Sequence, residues 1–264
     1  MRTREAPVPR TRPGNPVDVR QPLSDLPDSG YVFRTGWKLA TSDIDHQLLA
    51  RLDGVARDIQ EVGADHLIDA GYAEIHPHWI VQRTVIDVIE PLDWPNDITF
   101  RRWCSGISSR WCSMRVRLDG SNGGRIETEA FWINMNKDTL TPSLIADGFF
   151  NRLGTTTENH RLKWRPWLPG PVEHAATATP FALRYTDGDL FEHVNNTIYW
   201  HGVHEVLAHA PDLCEPPYRA VVEYRKPITL DESVTIRSVR RDDALHIWFC
   251  VGGDVRAAAL VCKL

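Results

Sequence analysis

Apolar residues recur at steps of three and four in "LLARLDGVARDIQEVGADHL", where Leu48, Leu52, Val55, Ile59 and Val62 fall on one side of a helix. The preceding "YVFRTGWKLA" reads as a strand, with the polar stretch "TSDIDHQ" between the two. After the helix, strand-like segments are predicted at 78–90, 97–105, 109–118 and 125–135, divided by "PLDWPND" and "DGSNGG". Helix first, sheet afterwards, is the order of the first half.

The same order returns. "PFALRY" reads as a strand, and a helix is predicted from about Asn196 to His209 with Tyr199, Val203, Val206, Leu207 and Ala210 on its apolar side. Four candidate antiparallel strands follow: "YRAVVEYRKPI", "ESVTIRSVRR", "ALHIWFCVG" and "VRAAALVCKL". An antiparallel sheet with one long helix on its apolar face is a stable two-layer unit, so an α+β fold made of two such units is expected. The boundaries read as a flexible N-terminal arm over 1–30, a first unit over 31–145, a crossover linker over 146–176 and a second unit over 177–264. The linker lacks periodicity, but its Trp164 and Trp167 imply that it packs against something.

Composition narrows the class. Hydrophobic residues make up 42% and charged residues 25% of 264 residues, as in ordinary soluble globular proteins. A formal net charge of -5 disfavours nucleic acid as the main partner. Five cysteines without a CxxC pair fit buried thiols in a reducing cytoplasm, and no segment reads as a membrane span or signal peptide. There is no P-loop, G-x-G-x-x-G or G-x-S-x-G, and His201 and His204 lack the H-E-x-x-H order, so neither a cofactor nor a metal is expected.

The chemistry concentrates where strand meets helix. The first junction reads Asp43-x-Asp45 and the second Asp187-x-Asp189, but only the second adds His193, Asn195 and Asn196. An active second half and a degenerate first half follow. Asp189 is a base or nucleophile, and His193 can orient substrate, move a proton or donate to an oxyanion. Asn195 and Asn196 precede a helix whose free N–H groups suit a carbonyl oxygen gaining charge, although capping alone also accounts for them. Asp187 reads as a turn residue. Hydrolysis of an activated acyl group is the expected reaction.

The stretches "DGDLFEHVNNTIYWHGVHE" and "VVEYRKPITLDESV", with "TSDIDHQLLARLDGVARDIQEVGADH", "WIVQRTVIDVIEPLDWPNDITFRRWCSG" and "EAFWINMNKDTLTPS", resemble the acyl-acyl carrier protein (acyl-ACP) thioesterase family over residues 31–264. The resemblance implies a tandem (double) hotdog fold and release of fatty acid from an acyl-carrier thioester. It assigns catalytic roles to Asp189, His193 and, further along the helix, Glu205. The family's catalytic Asn falls on Phe191, the acidic residue after its "EYRR" on Pro227, and Ile228 stands where plant members often carry Cys. Asn195, Asn196 and Phe191 are then the substrate-positioning candidates, and the aspartate leads the chemistry.

An acyl chain needs an apolar channel, for which Trp79, Trp103, Trp111, Trp132 and Met135 are candidates. Basic runs at 101–106, 159–167 and 224–226 can meet an acidic acyl carrier protein or the phosphates of coenzyme A. An acyl-CoA thioesterase, a hotdog dehydratase or hydratase and a noncatalytic acyl-thioester binding module are the alternative readings. Homodimerisation stays open, since two units in one chain can already complete each other.

Overall fold

The computed structural model describes residues 18–168 and 170–264. Ten strands of the described residues form one antiparallel sheet: β1 (Phe33–Lys38), β2 (His78–Glu90), β3 (Asp97–Ile107), β4 (Trp111–Gly120), β5 (Arg125–Met135), β6 (Thr177–Phe181), β7 (Tyr218–Tyr224), β8 (Val234–Arg241), β9 (Ala244–Val251) and β10 (Asp254–Lys263). Their spatial order, β1-β3-β4-β5-β2-β7-β10-β9-β8-β6, mirrors itself about the β2–β7 seam. Each half is a hotdog-like unit, its strands wrapped around one long helix: α1 (Leu52–Asp69) in the first and α3 (Ile198–Leu207) in the second. A shorter helix, α2 (Asp147–Leu153), lies in the crossover.

The apolar periodicity explains why the helices sit where they do. Val55, Ile59 and Val62 of α1 and Val203 and Leu207 of α3 share one core with Phe100, Ile247 and Phe249 of the sheet. α3 comes especially close: a Cβ on Gly202 would lie 2.5 Å from Phe249 Cε1 and 2.7 Å from Ile236 Cδ1. The turns leading into β5 and β10 each hold a glycine pair with positive φ, Gly123 and Gly124 (99° and 89°) and Gly252 and Gly253 (55° and 86°).

Several expectations are corrected. Leu48 is not on the α1 face; it stands before the helix with φ 65° and is exposed. Of "PFALRY" only Pro180 and Phe181 are strand, because β6 spans Thr177–Phe181 and Tyr185–Asp187 is a short 3-10 turn. α3 begins at Ile198 and ends at Leu207, inside the predicted limits. The crossover contains α2, whose Phe149 and Leu153 are buried with Cys104, Cys112 and Met114.

Trp103 and Trp111 do not line a channel under α1. Trp103 lies beneath the Arg115 guanidinium, 5.0 Å from ring centre to Cζ, and Trp111 donates to Leu162 O of the crossover at 2.9 Å. Trp164 and Trp167 pack on Arg83 at 5.0 and 4.0 Å, pinning the crossover across the seam. The first seventeen residues of the expected arm lie outside the described ones. Beyond them the chain is held down, with Arg219 Nη1 donating to Val19 O and Gln21 O at 2.6 and 2.8 Å.

Candidate functional site

Two loops with one backbone pattern precede the long helices. In the second, Asp189 Oδ1 accepts the N–H groups of Phe191 (2.8 Å) and His193 (3.1 Å), Asp189 N donates to His193 O, and Asn195 N donates to Asp187 O. In the first, Asp45 Oδ1 accepts from Gln47 (2.8 Å) and Leu49 (3.0 Å), Asp45 N donates to Leu49 O, and Arg51 N donates to Asp43 O. Even the left-handed residue corresponds, Leu48 at φ 65° and Glu192 at φ 60°. An aspartate that bridges the turn through one oxygen fixes both loops. Leu49 therefore occupies the position of His193, and Gln47 that of Phe191.

In the second loop Asp189 Oδ2 and the His193 imidazole carry no hydrogen bond among the described residues. Both side chains are partly exposed, so the loop is braced by Oδ1 while Oδ2 stays available. Asn196 is held from two elements, one of them braced by a third. Tyr224 of β7 donates to its carbonyl at 3.1 Å, Trp200 of α3 steadies that hydroxyl at 3.2 Å, and its Nδ2 donates to Gln60 Oε1 of α1 at 3.0 Å. Among the described residues its own N–H has no partner. Asn195 makes an Asx turn just ahead of the helix: its Oδ1 accepts Thr197 N and Thr197 Oγ1, both at 2.9 Å, and Thr197 is the residue that precedes α3.

The matching position in the first loop is closed. Leu52 N donates to His204 Nε2 of α3 at 2.8 Å. Beside it, Asp53 is buried with Arg51 on both oxygens at 2.9 Å, Arg57 at 2.9 Å and His201 Nε2 at 3.3 Å. Burial opposes its charge, but the hydrogen bonds from His201, Arg51 and Arg57 outweigh that and hold the carboxyl well below the usual range. Burial also lowers the His204 pKa, in keeping with a neutral acceptor. The first junction thus keeps the loop and loses the free N–H, a difference that the sequence cannot display because the plug comes from the other half.

The predicted residues divide accordingly. Asp189, His193, Asn195, Asn196 and Phe191 come together at the second junction. Glu205 does not join them: it is exposed and lines, with Val206, His209 and Ala210, a cavity of about 360 Å³ between α3 and β6, β8 and β9. Phe191 turns its ring toward His78 of β2, centroids 5.2 Å apart at 74°. His78 and Gln60 are first-unit residues at this site that sequence reasoning missed; they lie more than a hundred positions away and carry no local signal. Of the basic runs, Arg101 pairs with Asp119, Arg102 is buried, Lys226 pairs with Asp254 at 2.8 Å, and Arg225 donates to Leu168 O and Gly170 O. Among the described residues no group of three His, Cys, Asp or Glu side chains is placed to hold a metal ion, and no helix is long and apolar enough to cross a membrane.

The mirrored sheet, the two enclosed helices and the paired loops define a tandem hotdog protein of the thioesterase superfamily. Residues 30–153 match the acyl-ACP thioesterase N-terminal domain and residues 172–249 the acyl-ACP thioesterase C-terminal domain, and the chain belongs to this family. It is 64% identical over 247 residues to an uncharacterized protein of Mycobacterium tuberculosis (strain H37Rv), covering 94% of this chain and 98% of that one. It is 23% identical to the oleoyl-acyl carrier protein thioesterase 1, chloroplastic, of Arabidopsis thaliana, covering 67% of this chain and 55% of that one. The fold matches an acyl-ACP thioesterase from Bacteroides thetaiotaomicron with a TM-score of 0.73 at 12% identity, covering 88% of this chain and 97% of that one. It also matches the 12:0-ACP thioesterase from Umbellularia californica with a TM-score of 0.68 at 20% identity, with the same two coverages.

Proposed function

We propose that the chain is a cytoplasmic thioesterase that hydrolyses acyl-ACP at the junction of Asp189, His193 and Asn196, within a unit spanning about residues 177–264. The observation that carries this reading is the unpartnered Asn196 N–H just ahead of α3, on a chain whose preceding loop leaves Asp189 Oδ2 free. A backbone donor whose residue is held from two sides needs little reorganisation when a thioester oxygen gains charge. Water then attacks the carbonyl carbon while Asp189 Oδ2 takes its proton. Collapse of the tetrahedral intermediate breaks the C–S bond, and the proton passes to the leaving sulfur, with His193 placed to assist. Direct attack by Asp189 through an anhydride is the other Asp-led route, and water would release it.

The family supports acyl carrier protein as the carrier, with coenzyme A as the alternative. Phe191 stands where the family places Asn, and its ring is spent on His78, which favours a second reading as a binding module that retains its thioester. Thiol release from acyl-ACP and acyl-CoA substrates, with wild type beside Asp189→Asn and His193→Ala, tests both. Under the hydrolase reading Asp189→Asn lowers kcat by roughly 10²–10⁴-fold. Bound but intact thioester in the wild type would establish the binding module instead.

A further inference from the structure

One residue on the inner face of β3 is out of keeping with the apolar layer around it. Ile98, Phe100 and Cys104 are buried there, and in alternation with them stands Arg102, 8% exposed. Its guanidinium meets Nδ1 of His66, on the last turns of α1. Its neighbouring titratable groups are Cys112, Cys104 and Tyr31, and burial raises both thiols and the phenol, so none supplies a negative charge. No carboxylate of the described residues forms an ion pair with Arg102, in contrast to Arg83, Arg115 and Arg219, each of which faces one.

His66 deepens the anomaly. Arginine only donates, so His66 Nδ1 is the acceptor and the proton resides on Nε2. That buried Nε2–H has no hydrogen-bond partner. The ring is enclosed by Tyr31 and Phe33, both with centroids at 5.1 Å, and by Phe149 at 5.9 Å. Burial, with the nearby guanidinium, pushes the imidazole pKa down to about 2, so it stays neutral. An uncompensated buried cation beside an orphaned donor is costly unless something completes it.

The scaffold does not demand the pair. Counted on from the matching loops, His66 of α1 corresponds to Ala210, which lies three residues past the end of α3; the register Phe33↔Arg102 corresponds to Thr177↔Ser238. Ala210 and Ser238 leave the cavity of about 360 Å³ where the first unit places His66 and Arg102.

We infer that Arg102 and His66 form a binding site for a carboxylate borne on an alkyl chain. The guanidinium N–H groups not spent on His66 Nδ1 have no acceptor among the described residues and suit an acceptor-only group, with His66 orienting the guanidinium; a carboxylate also supplies the missing charge. Gly63 bares the guanidinium on the helix side, since a Cβ there would sit 3.7 Å from Arg102 Nη2. Gln60, the residue holding Asn196, lies one turn before Gly63, so His66 is about 9 Å farther along the α1 axis. The carboxylate therefore has two sources: the far end of an acyl chain whose thioester lies at Asp189, or the head of a free fatty acid. The first source rests on the proposed function; the second does not.

Thermal shift and calorimetry with dodecanoate, dodecanedioate and dodecanol decide the site without needing hydrolysis. The carboxylates are expected to bind and raise Tm, dodecanol not, and Arg102→Met to weaken carboxylate binding by about tenfold or more. Gly63→Val, which keeps the guanidinium and covers it, is expected to do the same. Equal effects of dodecanol, no effect of any ligand, or undiminished carboxylate binding to both variants would overturn the site. Without ligand, Arg102→Met is expected to melt at or above wild type; a large loss of Tm with unchanged ligand preference would make the pair structural and overturn the proposal.

Thiol release from dodecanoyl thioesters with and without a terminal carboxylate then identifies the source. Faster turnover of the carboxylated chain, lost in Arg102→Met, assigns the chain end; no preference, with dodecanoate bound, assigns the free acid. If no thioester is cleaved, the hydrolase reading falls, and the binding arm still stands on its own.

Discussion

Arg83 and Glu223 face each other across the seam where β2 of one unit meets β7 of the other, both buried, with Arg83 Nη1 3.4 Å from Glu223 Oε1. Four residues along, Asp87 faces Arg219 in a two-pronged pair at 2.6 Å on each prong. Glu223 also accepts Trp167 N at 2.7 Å and Leu168 N at 3.2 Å, so the seam and the crossover share one carboxylate.

Glu223→Gln leaves the Arg83 charge buried and is expected to cost about 3–5 kcal/mol in chemical denaturation. Arg83→Met combined with Glu223→Gln should recover much of that, because the uncompensated cation is gone. A double variant no more stable than the single one would show that the charge pair is not what holds the seam.

Gln60→Ala removes a first-unit hand from a second-unit site. Its hydrogen bond is worth about 1 kcal/mol or less to folding, so Tm should shift little. Asn196 loses its lateral restraint, however, and kcat for thiol release should fall roughly tenfold with KM little changed. Unchanged kcat with a folded protein would confine Gln60 to packing.

Asp58 is half-buried, and burial raises its carboxyl to about 6 despite the Trp37 indole N–H donating at 3.0 Å. The folded chain therefore holds this proton between about pH 4 and 6 while the unfolded chain has released it. The group's contribution to stability falls as pH rises through that window. Asp58→Asn, neutral throughout, should flatten this part of the Tm profile and melt higher than wild type at pH 7.

Gly202→Ala tests the close seating of α3 on β8 and β9. Its methyl would meet the Phe249 ring and Ile236 within 2.5–2.7 Å, and overpacking of this kind costs about 1–3 kcal/mol. A stabilised variant, as helix propensity alone would give, would show that the helix can lift off the sheet without penalty.

Much of the architecture was legible because each helix carries its own apolar stripe and each turn its own glycines. Val55, Ile59 and Val62 marked α1, and the acid-rich loop marked the junction with α3. Leu48 misled because it shares the spacing of the stripe, yet it is the left-handed residue inside the Asp45 turn and stands ahead of the helix. Glu205 misled in the opposite way: its distance along the chain was compatible with the site, but the rotation of α3 carries it to the outer cleft. His78, Gln60 and His204 were illegible since each acts on the other unit, and short-range patterns carry no record of such contacts.

The matching of Asp45 to Asp189 has a consequence for how such a protein changes over generations. In a dimer of identical chains, every substitution at the junction is made twice, and a mutation useful at one copy is forced on the other. With both junctions encoded separately, one can receive His204 as a stopper while the other keeps its open amide. Each half is free to drift toward a separate task while the shared sheet holds them together.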